Sequence, residues 1–289
     1  MAKPYLFIVN PKSGGNGTDL PSLLQFIENK MQELGKVSQL VVTEYKGHAT
    51  QLATTAARSG AWSAVVAVGG DGTINEVARA MLYQDTPMGI IPAGSGNGLA
   101  RHLHIPINTT PAIQRLVEGT PVKIDSGLIN DTPFFCTSGI GFDASVSHYF
   151  ASSETRGLRG YIRFSLEAYK DYSPVKVALD GEETTAFLIT FANAGQYGNN
   201  AWIAPKASVT DGSLDLCHVL PFPDWYSMIL GARLFGKTLD QSQYVSYRKF
   251  QSIRLSTAIP LPAHYDGEPF TVEGDVDIRC IPASLTVIC

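Results

Sequence analysis

The run Val65-Val66-Ala67-Val68 closes on Gly69-Gly70-Asp71-Gly72-Thr73 and reopens as Ile74-Asn75-Glu76-Val77, and no other stretch restricts the fold as much. Short, valine-rich and stopped by glycine, the run reads as a strand. The segment after it reads as a helix that Asp71 or Thr73 is suited to cap. A strand that ends in glycine and feeds a helix is half of a βα unit, which implies a parallel sheet. The backbone amides at such a junction face a phosphate well. A tight turn with a cap would use the same residue types, but a doubled glycine, an acid and a further Gly-Thr exceed what a turn requires.

The pattern repeats through the first 125 residues. Further strands are expected at Tyr5–Val9, Val37–Thr43 and Met88–Ile91, each followed by a glycine or polar break. Leu20, Leu23, Leu24, Ile27, Met31 and Leu34 recur at helical spacing and give one apolar face to pack on the sheet. Two more glycine loops follow strands. Pro92-Ala93-Gly94-Ser95-Gly96-Asn97-Gly98 leads into Leu99-Ala100-Arg101, and Asn10-Pro11-Lys12-Ser13-Gly14-Gly15-Asn16-Gly17 follows the first strand. All three loops leave the carboxyl edge of the sheet, where open α/β sheets bind ligands. The first could close over a polyphosphate with a flexible backbone and one lysine, or be an ordinary mobile loop.

After Lys123-Ile124-Asp125 the texture changes. Strand-like runs at Phe134–Ser138, Val175–Leu179, Phe187–Phe191, Leu214–Val219, Ser252–Leu255 and Leu285–Ile288 are parted by Gly, Pro, Asn and Asp, and predict an antiparallel sandwich or barrel. Helical stretches at Tyr161–Tyr169 and Trp225–Phe235 interrupt it. The expected architecture is an α/β domain over 1–125, a β-rich domain over 126–289, and an active-site cleft between them. A chain of 289 residues suits two modest domains.

Charge narrows the partners. A net charge of −4 argues against nucleic acid, because a phosphate-tracking surface leaves a basic excess. Cys136, Cys217, Cys280 and Cys289 are scattered without a C-x-x-C pair, which suits a reducing cytoplasm. The run Tyr5–Val9 is too short for a signal h-region, and no apolar stretch reaches the length of a membrane span. Self-association into a homodimer is left open.

Asn10-Pro11-x-Ser13-Gly14, Gly69-Gly70-Asp71-Gly72-Thr73-x-Asn75-Glu76 and Pro92-x-Gly94-Ser95-Gly96-Asn97 together resemble the diacylglycerol kinase catalytic-domain family, which includes sphingosine and ceramide kinases and bacterial lipid kinases. The likeness continues through Gly139-Ile140-Gly141-Phe142-Asp143, Ala204-Pro205-x-Ala207, Asp211-Gly212-x-Leu214-Asp215 and Asp266-Gly267-Glu268. It implies ATP, Mg²⁺ and transfer of the γ-phosphate to a lipid hydroxyl at the membrane surface. The family's nucleotide contacts fall on Asn10, Pro11, Lys12, Ser13, Gly14, Thr43, Gly69, Gly70, Asp71, Gly72, Thr73, Ile74, Asn75 and Ser95. Arg163, in Gly160-Tyr161-Ile162-Arg163-Phe164, resembles an arginine that reaches ATP phosphates in sphingosine kinases. With Arg156 and Arg159 it could equally form a solvated or membrane-facing basic patch.

Phosphoryl transfer to an alcohol needs a group to take the hydroxyl proton and a cation to neutralise the triphosphate. The resemblance makes Glu268 the proton acceptor, Asp266 its close partner and Asp71 the acid nearest the reacting phosphate. It also implies a structural Mg²⁺ held by the Asp211 carboxylate and the carbonyls of Ser208 and Ser213, oxygen ligands that suit a hard ion. An Asp-Gly β-turn would explain the same residues. The His102-x-His104 pair lacks an acidic or cysteine partner in sequence and is expected at a helix end.

Two departures bear on substrate and metal. Asn97-Gly98 stands where most of the family's diacylglycerol kinases have Asn-Asp, and Ser145 and Ser147 stand where sphingosine kinases place acids that meet the substrate amine. Diacylglycerol, a sphingoid base and another long-chain alcohol all stay open. NAD kinase, which shares the Gly-Gly-Asp-Gly-Thr turn, and a catalytically silent nucleotide- or lipid-binding module are the competing readings.

Overall fold

The computed structural model describes residues 3–12, 19–151 and 158–289. The chain divides into two compact units: Met1–Ile124 with Ala283–Cys289, and Asp125–Pro282.

Unit 1 alternates strands and helices. In chain order these are β1 (Tyr5–Val9), α1 (Leu20–Glu33), β2 (Ser38–Val42), α2 (His48–Ser59), β3 (Ala64–Gly69), α3 (Asp71–Met81), β4 (Met88–Pro92), α4 (Gly98–His102) and α5 (Thr109–Glu118). The strands are parallel in the order β2-β1-β3-β4, and beyond β4 the late residue Val287 pairs in parallel with Met88. Every residue of β3 and β4 is buried, as strands covered on both faces by helices must be. Helix α1 turns Leu23, Ile27 and Met31 inward, the middle of the stripe read from its sequence.

Unit 2 begins within β5 (Pro121–Ile129), the strand that carries the boundary. It continues through β6 (Thr132–Phe134), β7 (Thr137–Gly141), α6 (Phe142–Ala151), α7 (Leu158–Asp171), β8 (Val175–Leu179), β9 (Glu182–Ala186), β10 (Leu188–Ala192), β11 (Gln196–Gly198), β12 (Ala201–Trp202) and β13 (Leu214–Val219). A 3₁₀ turn at Asp224–Tyr226 leads into α8 (Ser227–Phe235), then β14 (Val245–Phe250), β15 (Ser252–Tyr265) and β16 (Glu268–Ile288). Strand pairing here is antiparallel, in the order β14-β13-β10-β7-β15-β16, with β8 paired to β15 and β9 to β8. Its core is built from Phe134, Ile140, Phe191, Leu214, Leu255 and their neighbours. The fold is the expected one, an α/β unit with a parallel sheet and a β-sandwich unit.

Three local expectations change. The strand read at Phe134–Ser138 is two strands, β6 and β7, because the amides of Phe135 and Cys136 turn to a carboxylate instead of a neighbouring strand. The four-residue strand at Ser252–Leu255 is the start of fourteen-residue β15. The run Leu285–Ile288, read with the β-rich segment, belongs to unit 1, where Leu285 and Val287 are fully buried. All four cysteines are free thiols. Among the described residues no helix is long and apolar enough to cross a membrane.

Candidate functional site

Parallel register brings four strand ends of unit 1 to one edge. Val9 lies opposite both Val42 and Val68, and Gly69 lies opposite Pro92, so the residues that follow emerge side by side. Each junction extends the ladder by one bond: Thr43 N–H donates to the Val9 carbonyl, Asn10 N–H to Val68 and Ala93 N–H to Gly69, at 2.8, 3.0 and 2.9 Å. Asn10, Thr43, Gly69 to Asn75 and Ser95, scattered over 86 positions, thereby form one row. Pro11 and Lys12 lie beside them in an exposed turn, and Ser13 and Gly14 fall outside the described residues.

Side chains lock the row together. Asn10 Nδ2 donates to Thr73 Oγ1 at 2.9 Å, and its Oδ1 accepts the Lys12 amide at 2.9 Å. Asp71 does more than open a helix. One carboxylate oxygen accepts the Asn97 amide at 2.9 Å and the other the Gly98 amide at 2.7 Å, so the acid bridges the β3 and β4 loops. The cap at the head of α3 is Gly70, with no side-chain cap bond, and not Asp71 or Thr73 as the sequence suggested. Asn97 adopts φ +54, and its side chain accepts from the Gly94 amide at 3.1 Å and donates to the Gly94 carbonyl at 2.7 Å.

The paired glycines have a packing reason. A Cβ on Gly94 would stand 2.3 Å from the Gly70 Cα, so the two loops touch backbone to backbone. With Gly94, Asn97 and Gly98 engaged, the amides of Ser95 and Gly96 take no acceptor among the described residues. The first-turn amides of α3 point the same partial positive charge outward, as every helix start does. An exposed run of amides at one sheet edge is a seat for an anion.

The second group of predicted residues lies in unit 2. Asp266 and Gly267 have φ +47 and +83 and close a two-residue hairpin between Tyr265 and Glu268. Asp-Gly suits such a primed turn, which needs positive φ at both positions. The Asp266 carboxylate folds back and accepts the amides of Phe135, Cys136 and Thr137 at 2.9, 2.8 and 3.1 Å. The same stretch is gripped from its other side, since the Cys136 carbonyl accepts the Asn193 and Ala194 amides and the Phe135 carbonyl accepts Asn193 Nδ2. Asp266 is thus an anchor for this segment, while Glu268 opens β16 immediately beyond the turn. Arg163 sits on α7 and pairs with Glu167 at 2.9 Å on the exposed surface, and Arg156 lies outside the described residues.

In the loop Ser208 to Ser213, Asp211 accepts the Ser213 amide at 3.2 Å and pairs with Lys249, while the Gly212 amide donates to Asp125 at 2.7 Å. Asp215 lies 3.6 Å from the same ammonium, and its Oδ2 is buried without a hydrogen-bond partner. Burial raises the Asp215 carboxyl, the Lys249 charge opposes that, and the Asp211 charge adds to it. The Lys249 ammonium supplies the positive charge between the Asp211 and Asp215 carboxylates. Among the described residues no three His, Cys, Asp or Glu side chains are spaced to hold a metal, so an ion here would need backbone carbonyls such as those of Ser208 and Ser213.

One constellation escaped the sequence reading. Asp143 Oδ2 accepts from Thr190 Oγ1, Tyr197 OH and His264 Nε2 at 2.9, 2.7 and 3.1 Å, in the interior of unit 2. Asp143 and His264 are 3% and 2% exposed. A Cβ on Gly139 would stand 2.6 Å from that carboxylate oxygen, which accounts for glycine in the Gly139-Ile140-Gly141 run. Only that glycine run hinted at the network, because Asp143 and His264 are 121 residues apart. His102 ends α4, where the sequence placed it. Burial, with the charge of His104 second, holds its imidazole down to about 4.

The diacylglycerol kinase catalytic domain model matches residues 4–129, and the YegS C-terminal NAD kinase beta sandwich-like domain model matches residues 137–289. Curated relatives include diacylglycerol kinases of Bacillus subtilis, 28% identical over 90% of this chain and 88% of that protein, and of Mycobacterium tuberculosis, 29% identical over 78% and 74%. An uncharacterized protein of Synechocystis is 30% identical over 78% of this chain, which spans about half (54%) of that relative. A crystal structure of a diacylglycerol kinase from Bacillus anthracis shares the fold with a TM-score of 0.74 at 22% identity, over 99% of this chain and 96% of that one. With both units matched, by models that follow each other along nearly the whole chain, this protein belongs to the diacylglycerol kinase catalytic-domain family of lipid kinases.

Proposed function

We propose that the protein transfers the γ-phosphate of ATP to the hydroxyl of diacylglycerol. The observation that carries the nucleotide half is the row of strand ends in unit 1, where Asp71 braces two glycine loops and leaves the Ser95 and Gly96 amides and the head of α3 for the phosphates. In this reading Asn10 and Thr43 line the nucleotide, and Lys12 and Arg163 add positive charge toward the transferred group. Glu268 takes the proton of the attacking hydroxyl, and Asp266 positions Glu268 by pinning the hairpin turn to residues 135–137. Mg²⁺, when bound, supplies charge neutralisation at the triphosphate and, at the loop held by Ser208, Asp211 and Ser213, stability.

Helix α6 supports diacylglycerol over a sphingoid base as the acceptor. Ser145 Oγ donates to the Gly141 carbonyl at 3.1 Å and Ser147 Oγ to the Asp143 carbonyl at 3.0 Å, so both hydroxyls bond back along their own helix. Neither position offers a carboxylate for a sphingoid amine. The names of the Bacillus subtilis and Mycobacterium tuberculosis relatives support diacylglycerol as well. The test is incubation with γ-labelled ATP and Mg²⁺ against separate pools of diacylglycerol, sphingosine, ceramide and NAD. Label in phosphatidic acid is expected. Label in a sphingoid phosphate would move the acceptor, label in the NAD pool would replace the reading with a nucleotide kinase, and ATP binding without any labelled product would make the chain a silent module.

A further inference from the structure

Helix α8 carries apolar side chains on its outer as well as its inner side. Its inner side carries Leu230, buried with Tyr226 and Leu239 in a core cluster that also receives Phe222 and Leu234. Its outer side should therefore be polar, as on most surface helices. Instead Trp225, Met228, Ile229, Ala232 and Phe235, at i, i+3, i+4, i+7 and i+10, all face solvent, with Trp225 67% and Met228 83% exposed. The stripe runs from Trp225, in the 3₁₀ turn that leads into the helix, along the nine residues of α8, themselves about 14 Å long, and marks an interaction surface.

Size and charge select the occupant. A stable protein interface takes roughly 20–30 residues a side, and five outward side chains fall well short of that. The stripe has the composition of a helix that lies in a bilayer interface, with tryptophan and phenylalanine at its two ends and long aliphatic side chains between. The helix contains no acid. The acids that flank it are each engaged: Asp224 accepts from Tyr169 OH at 3.0 Å, and Asp240 pairs with Lys206 at 2.7 Å. At the other end Arg233, in the last turn, folds inward to donate to the Thr238 carbonyl at 3.0 Å, which leaves Lys237, just beyond the helix and 3.7 Å over the Trp202 ring, as the exposed cation. An apolar stripe bordered by an exposed cation, with no acid on the helix itself, suits an anionic lipid surface.

We propose that this outward face of α8, led by Trp225 and Met228, is the surface by which the protein docks on an anionic bilayer. The proposal rests on the lipid-kinase reading, since an acceptor confined to a bilayer must be met there. Insertion of the stripe needs no rearrangement of the fold, because the opposite face of the helix already anchors it to the core.

The experiment is co-sedimentation with vesicles of phosphatidylcholine alone and with added phosphatidylserine, using the intact protein, Trp225→Ala and Met228→Glu, with size-exclusion chromatography and circular dichroism of each. Strong binding to the phosphatidylserine vesicles is expected, with loss of about 10- to 100-fold per variant from the burial of one large apolar side chain and unchanged melting curves. Intrinsic fluorescence of the intact protein should shift to the blue on those vesicles, and the shift should vanish in Trp225→Ala. Phosphorylation of a short-chain, monomerically dispersed diacylglycerol should be the same in all three proteins, which separates docking from chemistry. Unchanged vesicle binding by folded variants would overturn the proposal. So would a dimer of the intact protein that both variants convert to monomer, because the stripe would then be an interface between copies. Absence of phosphorylation in every protein, with vesicle binding lost only in the variants, would sink the kinase reading and leave the docking surface standing.

Discussion

At the scale of single residues, two acids that sequence motifs mark as chemical are also structural. Asp71 bonds two amides of a neighbouring loop, and Asp266 bonds three. An amide deprived of its acceptor in a part-buried site costs about 1–3 kcal/mol. Asp71→Ala is therefore expected to lower stability by several kcal/mol as well as to weaken nucleotide binding. Calorimetric melting together with hydrogen exchange at Asn97 and Gly98 checks this, and unchanged protection of those two amides would show that the bridge is unimportant. Glu268 pairs with Tyr265 at the base of the turn, and the proton-acceptor role proposed for its side chain makes its prediction chemical. Glu268→Gln should lower kcat by roughly 10²- to 10⁴-fold while leaving ATP affinity unchanged. Asp266→Asn should damage both turnover and stability, because the amide nitrogen that replaces one carboxylate oxygen must face an N–H group instead of accepting from it. Steady-state kinetics beside nucleotide titration separate the two residues; a Glu268→Gln enzyme of near-normal kcat would move the base elsewhere. The motif residues were legible in the sequence, but this division of labour was not, since Asp266 lies 129 to 131 positions from the amides that it holds.

At the scale of elements, short α4 owes its place to what borders it. Its first amide is taken by Asp71, and its last residue, His102, is held neutral by burial and by His104. The folded imidazole titrates near 4 and the unfolded one at 6.5, so the folded state favours the neutral ring. Its contribution to stability is complete above pH 6.5 and is lost as pH falls through the folded value, because protonation then favours the unfolded chain. His102→Gln should flatten the melting temperature across this window, leaving other acid transitions in place. A melting series from pH 8 to pH 4 on both proteins checks it, and equal slopes would mean that His102 titrates as in the unfolded chain. Helix periodicity announced α1 because its buried face repeats. The break between β6 and β7 was not announced, since its cause is a distant carboxylate and the run Phe134–Ser138 keeps strand-like composition throughout.

At the scale of the molecule, unit 1 is assembled from two separated segments. Residues 283–289 complete it: Leu285 and Val287 are fully buried, Ser284 accepts the Tyr83 amide, and Cys289 exchanges two bonds with Thr120. Burial of Leu285, Val287 and Ile288 at about 1.5–3 kcal/mol each is comparable with the whole stability of a domain, roughly 5–15 kcal/mol. Deleting Ala283–Cys289 should therefore unfold unit 1, although its three glycine loops all lie more than 180 residues earlier in the chain. Hydrogen exchange resolved by segment checks this: amides of β3 and β4 should lose protection while those of β13 keep it, and retained protection in β3 would refute the prediction. The sequence by itself determined the order of elements, the parallel and antiparallel halves and the family. Those rest on local quantities, namely hydrophobic period, glycine at strand ends and spacing within loops. Only the tertiary structure decided which amides Asp71 and Asp266 hold, that Asp143 meets His264, and that the last residues return to the first unit. Such pairings are set by packing across large sequence separations, where the pattern around each residue contains no trace of its partner.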